Sequence, residues 1–435
     1  MFDLNLDWDR PNRIPSSPST HTLRLRLQPQ RSAQQRTLPL HLAIVLDTSG
    51  SMDGEKLEQA KIACRTVLEQ LRDQDRVSLA SFSSGVQSHI NSCSGAERSR
   101  VMGAIDRLKA EGTTRVDLAL QWLQQQLQSS SSSSNSPSNT PPARVAVLIT
   151  DGHPTNNQGR VLSDTTPLVQ MTQTLAESGI ILCAVGLGNA ENFNTEFLVS
   201  LSDRGSGAFI YADTPDRLAP QLSDRLVACQ SFVVDALTLR LETATGVQVK
   251  GFCQYRPQFL PLEETKPLEI PLRGIQGNGP TDILIEVEVL PLSLGQQPQQ
   301  QPILGLTLSG EGVGVGVGTG LQAQATLHCT NSYSEAQHQN KEVNDDRLGW
   351  LMNRYTVDMT QSQDPNRTGE LLLDYQVAAL KSGQVDLANQ AAQQLADLQA
   401  SGQLNPHGTT GLLSQTRKLG NIAGDPNGNP KGVQS

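Results

Sequence analysis

No stretch of the 435-residue sequence approaches the roughly 18 consecutive apolar residues that a membrane-spanning helix requires, so no membrane span is expected. The amino terminus, MFDLNLDWDR, has neither the basic start nor the apolar run of a secretory signal. Basic residues are in deficit, 34 Lys and Arg against 43 Asp and Glu, a formal net charge of -9. Nucleic acid and anionic membranes reward basic surfaces, so neither is expected as the main partner. The six cysteines, at 64, 93, 183, 229, 253 and 329, are scattered and form no CxxC pair. Cys64 and Cys183 lie in apolar contexts and read as small core residues. A reducing, cytoplasmic setting is the expectation. Catalytic signatures are missing too: there is no GxSxG elbow, no GxxxxGK[ST] loop and no HExxH around any histidine.

What is present is a change of texture along the chain. Residues 22-TLRLRLQP-29 alternate apolar and polar, as a half-buried strand does. From about residue 39, apolar runs (42–46, 77–82, 145–149, 180–185 and 208–212) alternate with helical patterns. Strands alternating with helices imply a mainly parallel sheet covered on both faces, a Rossmann-like, doubly wound domain over 38–227. Short strand-like segments with Pro, Gly and Gln between them follow at 236–244, 283–291 and 303–309. They predict an antiparallel β-sandwich over 228–340, which the N-terminal region, 1–37, joins through its strand. The glycine-rich 311–320 is open between edge strand and loop. Helical spacing returns over 344–404 as a helical hairpin or bundle, with glycines as C-caps at its later breaks. The Gly-, Asn- and Pro-rich 405–435 is expected to be a disordered tail. A serine-rich insert, 129–142, joins a helix to a strand and so belongs on the amino edge of the sheet, opposite the ligand-binding edge.

The chemistry gathers at the other edge. In 45-VLDTSGSMDG-54 a buried run ends on Asp47, with Ser49 and Ser51 at alternate positions. A second run, 145-VAVLITDG-152, ends on Asp151, and 111-EGTTRVDLAL-120 is a Gly-Thr turn opening a helix. Carboxylate and hydroxyl oxygens, without imidazole or thiolate, suit a hard cation, Mg²⁺ or Mn²⁺, rather than zinc. Asp47 to Glu58 also imitates an EF-hand loop, but Met52 occupies the glycine position and a strand precedes it. A helix N-cap would use Ser51 or Asp53, yet it leaves Asp151 and Thr114 unexplained.

The order Asp-x-Ser-x-Ser, Thr, then Thr-Asp-Gly resembles the metal-ion-dependent adhesion site of bacterial von Willebrand factor A-type domains. The resemblance implies metal ligands at Asp47, Ser49, Ser51, Thr114 and Asp151, with Thr114 preferred to Thr113 by its distance from Leu120. It implies a non-enzymatic interaction module or scaffold whose ion captures an Asp or Glu of a partner protein. ATPases and kinase-signalling proteins are the partners it points to. The alternatives are a metal-dependent phosphohydrolase and a scaffold with a degenerate, metal-free site. Thr416, ahead of Arg417 and Lys418 in the expected tail, reads as a site that a kinase could reach.

Overall fold

The computed structural model describes residues 2–30, 38–129, 142–151, 153–187, 194–212, 218–292, 298–310, 320–362 and 364–420. Three strands open the chain: β1 (Phe2–Trp8), β2 (Asn12–Arg13) and β3 (Ser19–Pro29). The α/β domain follows, with β4 (Leu40–Asp47), α1 (Glu55–Glu69), β5 (Arg76–Phe82), β6 (Val86–Ser94), α2 (Arg98–Asp106) and α3 (Val116–Ser129). Its second half is β7 (Ala143–Thr150), α4 (Thr166–Glu177), β8 (Ile180–Leu187), α5 (Thr195–Arg204), β9 (Phe209–Ala212) and α6 (Leu218–Gln230).

These strands form one sheet in the order β6-β5-β4-β7-β8-β9, parallel except for β6. β4 lies in its interior, buried at every residue, as expected of a parallel strand covered on both faces. Its side chains alternate between two cores. Leu42, Ile44 and Leu46 pack with Leu57 and Cys64 of α1 and Leu222 of α6. Ala43 and Val45 pack with Leu120 of α3, Leu168 of α4 and Leu198 of α5. β6 is absent from the apolar runs because only Ile90 and Cys93 in it are buried, the reduced apolar content of an edge.

The sandwich is built from β10 (Phe232–Thr243), β11 (Val247–Arg256), β12 (Leu260–Pro261), β13 (Glu269–Gln276), β14 (Thr281–Val289), β15 (Gln300–Ser309) and β16 (Leu321–Cys329). One sheet runs β1-β3-β14-β11-β12 and the other β13-β10-β15-β16-β2. The α/β domain therefore interrupts the sandwich in sequence, between β3 and β10. The stretch 311–319 lies outside the described residues.

A short helix α7 (Tyr333–Ala336) leads to α8 (Lys341–Gln361), α9 (Pro365–Lys381), α10 (Val385–Ser401) and α11 (Pro406–Arg417). α8 docks on the sandwich through Trp350, packed with Cys253, Tyr255 and Leu284. Gly349 permits that approach: a Cβ there would stand 2.1 Å from the Tyr255 hydroxyl.

α11 corrects the expectation of a disordered tail from residue 405. The Asn and Pro that read as disorder are helix-start chemistry. The Asn405 side chain accepts from the His407 amide at 3.0 Å, and Pro406 occupies the first turn. Leu412 and Leu413 are fully buried, and Leu413 enters the second core of the α/β domain. Thr416 is 2% exposed, donates to the Leu412 carbonyl and shares a 2.7 Å hydrogen bond with the Tyr375 hydroxyl. It is a packed helix residue, which corrects the expectation that a kinase could reach it. Residues 421–435 lie outside the described residues, as does most of the serine insert. The insert's flank is placed: the Ala143 amide donates to the Pro39 carbonyl at 2.8 Å, at the amino edge of the sheet.

Candidate metal centre

The carboxyl ends of β4 and β7 deliver two fully buried carboxylates, Asp47 and Asp151, to the same edge. After Asp47 the chain turns through a 3₁₀ segment, Gly50–Met52, held down by the buried Met52 side chain. The turn is pinned to its neighbours by backbone bonds. Thr48 donates to the Phe82 carbonyl at 2.8 Å, Glu111 to Thr48 at 2.6 Å, and Gly50 to Gly112 at 3.1 Å. Gly112 is needed there twice over. Its φ is +86°, and a Cβ would meet the Ser84 hydroxyl at 2.6 Å.

Four of the five expected ligands join in hydrogen bonds. The Ser51 hydroxyl donates to Asp151 Oδ1 at 2.9 Å and lies 3.1 Å from the Ser49 hydroxyl. The Ser49 amide donates to Asp47 Oδ1 at 2.8 Å. Thr114 is buried on the adjoining loop, but its backbone bonds run to Thr155 and Val116 rather than to the other four. Its amide donates to Thr155 Oγ1 at 3.0 Å, and its carbonyl accepts from the Thr155 amide at 2.9 Å.

Two further side chains belong to the site and were not singled out from the sequence. The Thr150 hydroxyl donates to Asp47 Oδ2 at 2.5 Å. Lys56 Nζ lies 2.5 Å from Asp151 Oδ2. A signal existed for the lysine: it stands in the first turn of α1, where the helix dipole disfavours a cation.

Asp47 and Asp151 differ in electrostatic support. The hydrogen-bond donors to Asp47 are neutral, whereas Asp151 faces an ammonium group. Burial pushes Asp47 up to about 7, against the lowering effect of the Thr150 and Ser49 hydrogen bonds; the nearby Asp151 charge adds to the rise. A buried carboxylate short of positive charge, ringed by hydroxyls, fits a hard divalent cation. Among the described residues, no three His, Cys, Asp or Glu side chains gather as ligands, so a metal here depends on the serine and threonine hydroxyls.

Beside the site opens a cleft of about 560 Å³, lined by Thr48, Ser81, His89, Arg107, Lys109 and Glu111. Arg107 and Lys109 are exposed. Burial holds His89 below the usual imidazole range, and Ser81 Oγ lies 2.8 Å from its Nε2.

The family model for the von Willebrand factor type A domain matches residues 41–225. An uncharacterized Escherichia coli protein, YfbK, is 28% identical over 228 residues, 48% of this chain and 38% of its own length. An uncharacterized Synechocystis protein, sll0103, is 25% identical over 265 residues, 60% of this chain and 58% of its own. The matches thus span about two fifths to three fifths of these relatives. A solved structure described as a von Willebrand factor type A protein from Catenulispora acidiphila superposes with a TM-score of 0.72. It covers 96% of this chain and 97% of its own at 16% identity, so the likeness is one of fold across all three parts.

Proposed function

Residues 41–225 form a von Willebrand factor type A domain, of a family that often mediates protein–protein interaction, and from that premise we propose that the chain is a metal-dependent interaction module. Asp47, Ser49, Ser51, Thr114 and Asp151 would hold one Mg²⁺ or Mn²⁺, and the ion would take an Asp or Glu carboxylate from a partner protein. The observation that carries the reading is the pairing of two fully buried carboxylates with the Ser49–Ser51 hydroxyl pair at one sheet edge. Such a donor set supplies hard oxygens, and Mg²⁺ retains waters that an incoming oxygen can replace. The exposed Arg107 and Lys109 in the adjoining cleft favour an acidic partner surface.

The module is non-catalytic in this reading, with a scaffold made of the sandwich and the four long C-terminal helices. An ATPase or a kinase-signalling protein is the proposed partner type. A cytoplasmic location is proposed on the six unpaired cysteines, five of them buried. Among the described residues, no helix is long and apolar enough to cross a membrane.

The test is a pull-down from native lysate with Mg²⁺ and with chelator, using wild type and Asp47→Ala. Capture should require both the ion and Asp47, with Mn²⁺ restoring it after chelation. Equal capture in chelator and by Asp47→Ala would move the interaction to the sandwich or helices. Phosphatase turnover lost in Asp47→Ala would instead establish the phosphohydrolase.

A further inference from the structure

We propose that Lys56 is a built-in cation that occupies Asp151 in place of the metal and must leave that carboxylate when the ion binds, so that it sets the metal affinity of the site. This rests on the metal-dependent reading above. Three observations carry it. Lys56 Nζ sits 2.5 Å from Asp151 Oδ2, and Asp151 is wholly buried while the lysine side chain is 30% exposed. The ammonium therefore covers the carboxylate from the solvent side. Ser51 holds the other oxygen of the same carboxylate at 2.9 Å, so the lysine contacts a proposed ligand directly. Finally, a cation in the first turn of α1 opposes the helix dipole, and Glu55 and Glu58 are the residue types that position favours. Asp151 is the compensating charge.

An ion approaching Asp151 meets this ammonium. The lysine stem is long and flexible, so Nζ can swing outward without moving α1. Its charge still repels the ion from a few ångströms further away. At ~7 Å in a solvent-like dielectric, a unit charge against a divalent ion weakens binding by about five- to tenfold. The lysine also neutralises Asp151 while the ion is absent. Removing it should tighten metal binding and weaken the metal-free fold, a pairing of effects that a purely structural lysine does not produce.

The experiment titrates Mn²⁺ alone into the full chain by calorimetry, for wild type, Lys56→Met and Lys56→Arg. Thermal melts of each protein are recorded in chelator and in Mn²⁺. Lys56→Met should bind Mn²⁺ about five- to tenfold more tightly than wild type, and Lys56→Arg within twofold of it. Its melting temperature should be lower in chelator, and its Mn²⁺-induced rise larger. Should Lys56→Met fail to fold, Lys56→Gln replaces it with the same expectation, since the amide can donate to Asp151 without charge. Wild type that binds Mn²⁺ while the neutral variants bind equally or less tightly overturns the inference and leaves the metal reading standing. If neither wild type nor the neutral variants bind, the metal reading falls and the inference with it. Binding by the neutral variants alone supports both.

Discussion

Replacing Arg256 by methionine should be among the most damaging single changes outside the α/β domain, and its cost should shrink in acid. Arg256 Nη1 donates to Asp282 Oδ2 at 2.8 Å and Asp346 Oδ2 at 2.5 Å, and Nη2 donates to Asp346 Oδ1 at 2.6 Å. Asp282 lies on β14 and Asp346 on α8, so one guanidinium joins the helices to the sandwich. The side chains of the two acids are 0% and 4% exposed. Arg26 still holds Asp282 in a bidentate pair at 2.7 and 2.8 Å. Among the described residues, Asp346 would keep only Arg24, at 3.3 Å. Breaking a buried pair by removing one partner costs about 3–5 kcal/mol, because the remaining charge is left without compensation.

The sign of the pH dependence follows from Asp346. Burial already raises its pKa, and Arg256 is the main opposing influence. Without Arg256 it rises further, so folded Arg256→Met takes up a proton at a pH where the unfolded chain remains ionised. Stability conferred by that proton is present below the raised value and lost as pH climbs through it. Urea unfolding at pH 8 and pH 5.5, with fluorescence from Trp350 beside this contact, measures both effects. The deficit relative to wild type should be about 3–5 kcal/mol at pH 8 and clearly smaller at pH 5.5. Adding Asp346→Asn should recover part of the loss at pH 8. A deficit under about 1 kcal/mol, equal at both pH values, would refute the view that Arg256 compensates a buried charge, placing it with ordinary surface pairs.

Three further outcomes are expected. Mg²⁺ at 100 times its dissociation constant should stabilise the α/β domain by about 2.7 kcal/mol, read as a thermal shift absent in Asp47→Ala. Gly349→Ala should cost about 1–3 kcal/mol in urea unfolding, because its Cβ would press on the buried Tyr255 ring; Tyr255→Phe should recover part of that. Replacing residues 130–141 with a short Gly-Ser linker should leave Mn²⁺ affinity and melting temperature nearly unchanged, since loop closure depends weakly on length. A change in Mn²⁺ affinity would contradict the expectation drawn from its flank, Ala143, which lies at the opposite edge from Asp47.

The α/β core was legible because parallel strands buried on both faces write continuous apolar runs. The stretches 42–46, 145–149 and 180–185 fall within β4, β7 and β8. Strands with a mixed burial pattern escaped: β6, and β11 with Val247, Cys253, Gln254 and Tyr255 buried among more exposed neighbours. α11 was hidden by its cap, since Asn405 and Pro406 carry the composition of a loop and the function of a helix start. The edge carrying Asp47 and Asp151 could be inferred from where apolar runs end. Lys56 gave a partial signal: its place in the first turn of α1 sets it against the helix dipole, but its partner Asp151 is brought against it by β7 from 95 residues away. The network of Arg24, Arg256 and Asp346 was out of reach for the same reason: its closest members are 90 residues apart.

The site is assembled by the chain before any ion is considered. Each of the four carboxylate oxygens of Asp47 and Asp151 already faces a donor: the Ser49 amide, the Thr150 hydroxyl, the Ser51 hydroxyl and the Lys56 ammonium. Backbone bonds from Gly50 and Glu111 hold the loops that present them. A divalent ion would therefore exchange partners at a standing edge rather than order a disordered one, so its affinity should respond to side-chain charge more than to folding. The charges then add simply. Asp47, Asp151 and Lys56 sum to -1 when both acids are ionised, and a divalent ion brings the sum to +1. A carboxylate meeting the loaded site is attracted, whereas at the metal-free site it is repelled. On this reasoning the ion would switch the sign of the surface that the partner meets, while the cores behind it keep the fold in both states.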